Sequence, residues 1–273
     1  MSKKKVLIVT QEMEPYTDLS FVSQMVREVA PYVQDNDMEI RVLMPRFGTI
    51  NERRHRLHEV VRLSGMNIIV DDDDYPLIIK VASLSEVRMQ VYFLDNEDFF
   101  KRKNVFKDDE GNAYEDNADR MVFFCKGVLE TVKKFGWAPD IIHCHGWMTS
   151  LIPLYLRTAY KTEPLFEQAK VVYSTYGGEN FGAQFNESFA TKASINNLSE
   201  EDLHHYQNGS GATLDIGAIR YADAVVQGSE ELQEDVVQYL ATSDKPLLAY
   251  DAEEFRSKLI EFYQTLLTEE VEN

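Results

Sequence analysis

The segment His143-Cys144-His145-Gly146-Trp147 holds the densest set of groups in this chain that could do chemistry. An apolar run, Asp140–Cys144, leads into it, and Gly146 closes it before a helical pattern begins. Alternation along a strand puts His143 and His145 on the same side. His145, at the strand's end, then has two readings. It makes a structural hydrogen bond, or it turns a neutral imidazole toward a cleft, where it can meet a sugar hydroxyl or a backbone oxygen. Trp147 either stacks on a bound ring or packs under the next helix. A zinc centre needs further ligands. The other histidine pair, His204-His205, lies in a polar stretch, so no metal is expected.

Two more segments carry groups that could take part. Tyr114-Glu115-Asp116-Asn117 precedes a long helical pattern. Asp116 or Asn117 can cap that helix, or the Asp116 carboxylate can orient His145 by accepting from its ring N–H. Tyr173-Ser174-Thr175-Tyr176-Gly177-Gly178 ends a strand with two glycines, which make a turn or let a ligand approach the backbone closely. No Gly-x-Gly-x-x-Gly follows the first strand, and there is no P-loop and no Gly-x-Ser-x-Gly. Dinucleotide, NTPase and serine-hydrolase chemistry therefore lack their signatures, and no cofactor is expected.

The elements that must position these groups follow from periodicity. Lys5–Thr10 is a short apolar run of the kind found in buried parallel strands. Val22, Met25, Val26, Val29 and Val33 recur at helical spacing, and Glu39–Met44 is a second strand. This is a βαβ unit, whose crossover is right-handed in nearly all folds. Val60–Leu63, Leu77–Ser83 and Arg88–Leu94 read as strands of an antiparallel excursion, with Asp71–Asp74 a solvated turn. The alternation then resumes: helix Ala118–Phe135, strand Asp140–Cys144, helix Trp147–Tyr160, strand Ala169–Thr175, helix Thr213–Tyr221, strand Ala224–Gln227. Ser229 can cap a helix running to about Ala241, and Asp251–Thr268 is a final amphipathic helix burying Phe255, Leu259, Phe262 and Leu266, with Tyr263 a further candidate for the stripe. Asn180–Gly211, polar and weakly periodic, is the expected mobile region. The fold class is α/β, with a doubly wound, mainly parallel sheet forming one domain over residues 1–273.

Composition narrows the partners. The 273 residues carry a net charge of −18, so nucleic acid and anionic membrane are repelled overall. The cluster Arg53-Arg54-His55-Arg56 reads as a solvated helix face. No apolar run is long enough to span a membrane, and Val6–Val9 is too short for a signal-peptide core. Two cysteines, Cys125 and Cys144, make no disulfide framework and read as small buried hydrophobes. A cytoplasmic location is expected.

Taken together, these segments resemble the bacterial glycogen/starch synthases, retaining glucosyltransferases that use ADP-glucose. Glu12-Met13-Glu14-Pro15-Tyr16 fits the family's opening Glu-x-x-Pro-(Phe/Tyr). Val42–Gly48, Tyr114–Arg120, Asp140–Leu156 and Ile219–Asp223 are similar to its later motifs, in the same order. The resemblance implies a Rossmann-like domain equivalent to the N-terminal half of a GT-B glycosyltransferase. It implies His145 and Asp116 as the catalytic candidates and Glu12, Tyr16, Trp147, Tyr176 and Gly177 as substrate-binding candidates. It also implies an α-glucan or a nucleotide-sugar as ligand.

The departures from the family pattern are specific. Asp18 stands at the family's phosphate-side lysine, and Ser20 and Phe21 stand at its two glycines. Gly146 and Met148 replace an Asp and a second His, and Ser174–Gly177 stands where the family has Thr-Ile-His-Asn. The family's second nucleotide-sugar domain is read as absent. The leading expectation is a binding or regulatory module of glucan metabolism that does not catalyse alone, or a half-enzyme completed by a second glycosyltransferase chain or a homo-oligomer. The rivals are an active glycosyltransferase and a scaffold without a sugar site.

Overall fold

The computed structural model describes residues 3–84, 87–178, 189, 192–195, 198–206 and 211–268. Most of the stretch expected to be mobile, 180–211, lies outside the described residues.

Ten strands form the sheet: β1 Lys5–Thr10, β2 Glu39–Pro45, β3 His58–Glu59, β4 Met66–Val70, β5 Asp73–Leu84, β6 Met89–Asp95, β7 Ile141–His145, β8 Lys170–Thr175, β9 Ala224–Gln227 and β10 Leu247–Leu248. Their order is β10-β9-β8-β7-β1-β2-β6-β5-β3, with β4 pairing off β5. From β10 to β6 all pairs are parallel, while β5 runs antiparallel to β6, β3 and β4. Residues Val6–Val9 and all of β7 are fully buried, as expected of strands covered on both faces.

The main helices are α1 Phe21–Asp35, α2 Asn117–Phe135, α3 Leu151–Arg157, α4 Gly211–Tyr221, α5 Glu234–Ala241 and α6 Phe255–Thr268. They cover both faces. His143 of β7 reaches Tyr263 of α6 on one side, and Tyr173 of β8 reaches Asp215 of α4 on the other. α1 also packs against α6.

The strand order reverses beside β1. The chain leaves β1 for β2 on one side and later returns to β7 on the other, with Thr10 paired to His145 in register. Diverging connections at such a point open a crevice at the carboxyl ends of the strands.

Local boundaries differ from expectation in several places: Asp73 and Asp74, expected in a solvated turn, open β5, and the helix expected to reach Tyr160 ends at Arg157. Residues 60–63 form a turn, closed by Leu63 N–H on Val60 O, and the strand comes later, at β4. The helix expected from Trp147 begins as a single tight turn, Trp147–Thr149, because Gly146 has φ 82° and the Thr149 hydroxyl donates back to its carbonyl. Ser229 caps no helix. Its hydroxyl accepts from Gly177 N–H and donates to Glu231 O, and α5 starts only at Glu234. Asp251 stays outside α6, accepting from the N–H groups of Glu253 and Glu254 and binding Lys258. On α6 the buried stripe is Phe255, Leu259, Ile260, Tyr263 and Leu266, with Phe262 half-buried.

Candidate functional site

A cleft of about 860 Å³ opens at the switch point. Its lining comes from the exit of β1 (Gln11, Glu12), the start of α1 (Leu19, Ser20), the loop 104–111, the exit of β7 (Gly146, Trp147), the exit of β8 (Tyr176–Gly178) and Asp215 of α4. No one segment builds it. The sheet order brings them together.

At the β1 exit, the Glu12 side chain is fully buried and faces back onto its own chain. One carboxylate oxygen accepts the backbone N–H groups of Leu19 and Ser20 at 2.8 and 3.0 Å. The other accepts the Ser20 hydroxyl at 2.5 Å and the Gln11 amide at 3.3 Å. Burial raises the Glu12 pKa, and these donors hold the rise in check. Ser20 is also the N-cap of α1, accepting from Val22 N–H. Asp18 sits just before it, exposed, and accepts from the Ser23 hydroxyl. Two carboxylates thus meet the positive end of the α1 dipole.

Gln11 is a site residue that the motifs did not flag. Its side-chain oxygen accepts from Met148 N–H at 3.3 Å, and a Cβ on Gly146 would lie 2.4 Å from that oxygen. The glycine is required twice, by its positive φ and by the glutamine folded against it.

His145 does not reach the cleft surface. It is wholly buried, and its Nδ1 lies 2.7 Å from the hydroxyl of Tyr176, which lines the cleft in its place. Burial pushes its pKa down to about 3, so the ring is neutral. Its Nε2 has no hydrogen-bond partner among the described residues. His143 stacks on it, with ring centroids 3.9 Å apart. His143 in turn contacts Tyr263 through Nδ1 at 2.5 Å and Ser174 through Nε2 at 2.6 Å.

Tyr176 fits because Gly228 faces it. A Cβ there would stand 2.4 Å from the tyrosine ring. Gly177 is held against Glu231, whose carbonyl would lie 2.6 Å from an added Cβ, and Gly178 takes φ 112°. The two glycines make a tight turn as well as lining the cleft. Trp147 lines the cleft while only 4% exposed, packed at 5.1 Å on Phe106. The packing reading holds, and the side chain also contributes to the lining.

Two expected site residues lie elsewhere. Asp116 does not orient His145: both its oxygens are taken by the Arg102 guanidinium. Nor does its side chain cap α2. Tyr16 is buried in the core against Phe93 and His55, outside the cleft, and burial pushes its pKa up to about 12.

The loop wall of the cleft is held from behind by Arg120. This buried side chain donates to the carbonyls of Phe99 and Val105 and to Asn117 Oδ1. It lies among the rings of Phe47, Phe100, Phe106 and Tyr114.

Asp215 is the second residue that the motifs missed. It is 4% exposed and accepts the Tyr173 hydroxyl at 2.6 Å. The signal for it was an acid inside the apolar run of α4, where a buried charge needs a reason. Among the described residues, no group of three or more His, Cys, Asp or Glu is arranged to hold a metal ion, and no helix is long and apolar enough to cross a membrane.

Comparison with known proteins decides the family. A profile described as the starch synthase catalytic domain matches residues 5–245. The chain belongs to the starch synthase catalytic domain family. A glycogen synthase of Chlorobium phaeobacteroides is 41% identical over 173 residues, covering 63% of this chain and 35% of that protein. A glycogen synthase of Chlorobaculum tepidum is 35% identical over 229 residues, covering 83% of this chain and 46% of that protein. The chain thus spans less than half the length of these curated relatives. Among solved structures, the starch synthase IV catalytic domain of Arabidopsis thaliana, bound to ADP and acarbose, superposes with a TM-score of 0.67 at 18% identity, over 97% of this chain and 50% of that one. That likeness establishes the fold, the Rossmann-like domain of a GT-B glycosyltransferase.

The strand that carries His143 and His145 pairs in register with β1. A tyrosine covers His145, and the residue after that histidine is a glycine with a glutamine against it.

Proposed function

We propose that this starch synthase-type domain recognises an α-glucan and does not itself transfer glucose from a nucleotide-sugar. The observation that carries the reading is the start of α1. In the family resemblance, a lysine and two glycines meet the donor phosphates there. In this chain the position holds Asp18, the self-capping Ser20 and the side chain of Phe21, and the backbone N–H groups of Leu19 and Ser20 are given to Glu12. An incoming diphosphate meets anions where it needs cations, and charge stabilisation of the leaving diphosphate is the main thing such a transfer asks of a protein.

The rest of the cleft suits an uncharged, hydroxyl-rich ligand. Trp147, Tyr176 and Phe106 supply apolar and aromatic surface, while Gln11, Asn104 and Asp215 supply hydrogen-bonding groups. Glu12, Asp108, Asp109 and Asp215 are four acids in the lining against the cation Lys107.

Calorimetric titration with maltoheptaose, ADP and ADP-glucose tests the reading. Binding of maltoheptaose without binding of ADP or ADP-glucose is expected. Incorporation of glucose from ADP-glucose into glycogen by the purified chain would overturn it. Lack of any maltoheptaose binding would favour a scaffold role instead.

A further inference from the structure

The cleft has one acidic side chain that its protein surroundings do not explain. Asp215 of α4 lines the cleft and is almost entirely buried. The other acids there are accounted for. Glu12 is held by four donors from its own segment, Asp108 accepts from the backbone of Glu110 and Asn112 in its own loop, and Asp109 is exposed and accepts from the Asn104 amide. Asp215 accepts the Tyr173 hydroxyl at 2.6 Å, has the Thr175 hydroxyl beside it, and makes no ion pair among the described residues. Burying a carboxyl with so little compensation is costly. Apolar residues hold the same helix against the sheet at Leu214, Ala218 and Ile219, so packing alone does not call for an acid. Groups kept in such surroundings beside a cavity are enriched among those that meet ligands.

We propose that Asp215 is a ligand-reading residue, its carboxyl accepting a hydroxyl of a sugar bound in the cleft while Tyr173 fixes its orientation. The inference rests on the glucan reading above and names the residue that gives the cleft its preference for an uncharged polyol. Tyr173 donates from β8 and sets which oxygen is already satisfied. The carboxyl lines the cleft along with Tyr176 and Trp147, so a hydroxyl entering there finds an acceptor already desolvated and in place. A hydrogen bond to such a group counts for more than one at the surface. An anionic ligand is penalised at the same point. Burial also pushes the Asp215 pKa up to about 7, the Tyr173 and Thr175 hydroxyls partly opposing the rise, so a bound donor would draw the group toward its ionised form.

The experiment is calorimetric titration of maltoheptaose into the full chain as wild type, Asp215→Asn and Asp215→Leu, with thermal unfolding of each. Asp215→Asn keeps an acceptor for Tyr173 and removes the charge; about a tenfold loss of affinity is expected at pH 8. Asp215→Leu removes the acceptor too and is expected to lose more. If the Leu variant does not fold, the Asn variant decides the matter. With the Asp215 carboxyl carbon labelled with 13C, its resonance is expected to shift when maltoheptaose saturates the wild type. Unchanged affinity in Asp215→Asn together with a stationary carboxyl resonance would overturn this inference and leave the glucan reading standing. Absence of maltoheptaose binding by the wild type would overturn both.

Discussion

The hydroxyl of Tyr176 lies 2.7 Å from Nδ1 of His145 and stands between that histidine and the cleft. The imidazole is thereby excluded from water and held neutral, far below its usual range, at about 3. Histidine-detected NMR should find no titration of His145 between about pH 4 and 8. Tyr176→Ala opens the site and should return the His145 value toward that of a free imidazole, whereas Asp116→Asn should leave it unmoved, since Asp116 binds Arg102. A wild-type His145 titrating in the ordinary histidine range would contradict the buried arrangement.

The same tyrosine makes a demand on Gly228. A methyl group added there would sit 2.4 Å from its ring, closer than any packed contact. Gly228→Ala should cost about 1–3 kcal/mol in urea unfolding, the usual range for overpacking. Combined with Tyr176→Ala the penalty should largely vanish, because the clash needs both side chains. Additive losses in the double variant would show that some other contact is responsible.

Ser20 joins two structures, the cap of α1 and the hydrogen-bond shell of Glu12. Ser20→Ala should therefore lose more than a surface cap, about 1–2 kcal/mol. Comparing Ser20→Ala with and without Glu12→Gln separates the two effects: the double variant should lose less than the sum of the single ones. Unfolding free energies that simply add would mean that Ser20 and Glu12 act independently.

Asp215 makes stability depend on pH in a direction unusual for a carboxylate. Its ordinary value is 3.8 and its folded value about 7, so the native protein holds more protons than the unfolded chain across that interval. Stability from this group falls as pH rises from about 4 to about 7 and is level beyond. His145 acts oppositely: with its folded value depressed, stability falls as pH drops below about 6.5. Asp215→Asn removes the first effect and exposes the second. Relative to wild type, the variant should gain stability between about pH 4 and pH 7, by at most about 4 kcal/mol from a shift of roughly three units. Denaturant unfolding of both proteins across that range measures it; a difference independent of pH would mean that Asp215 is not displaced from its ordinary value.

Much of the scaffold was legible before any coordinates. Uninterrupted apolar runs gave β1, β7 and β8, and helical spacing gave α1 with its buried Val22, Met25, Val26, Val29 and Val33. The antiparallel excursion was expected too, but its strand was placed at 60–63 when the pairing with β5 begins at Met66. A short apolar run carries no information about which partner edge is free. Of the substrate-binding candidates that the resemblance implies, Glu12, Trp147, Tyr176 and Gly177 lie in the lining of the cleft and Tyr16 does not. Gln11 and Asp215 were not among them, since a glutamine after a strand and a single acid in a helix have no spacing to announce them.

The sequence by itself determined the fold class, the family and the face on which each strand residue lies, because periodicity and motif order are local properties of a chain. It left open what each polar group would meet. His145 is covered by a tyrosine 31 positions later, and Asp215 is met by a tyrosine 42 positions earlier. Those pairings depend on β7 lying between β1 and β8 and on the register of each pair. Only the assembled sheet sets that order, and with it which groups are buried, which are satisfied and which are left to meet a ligand.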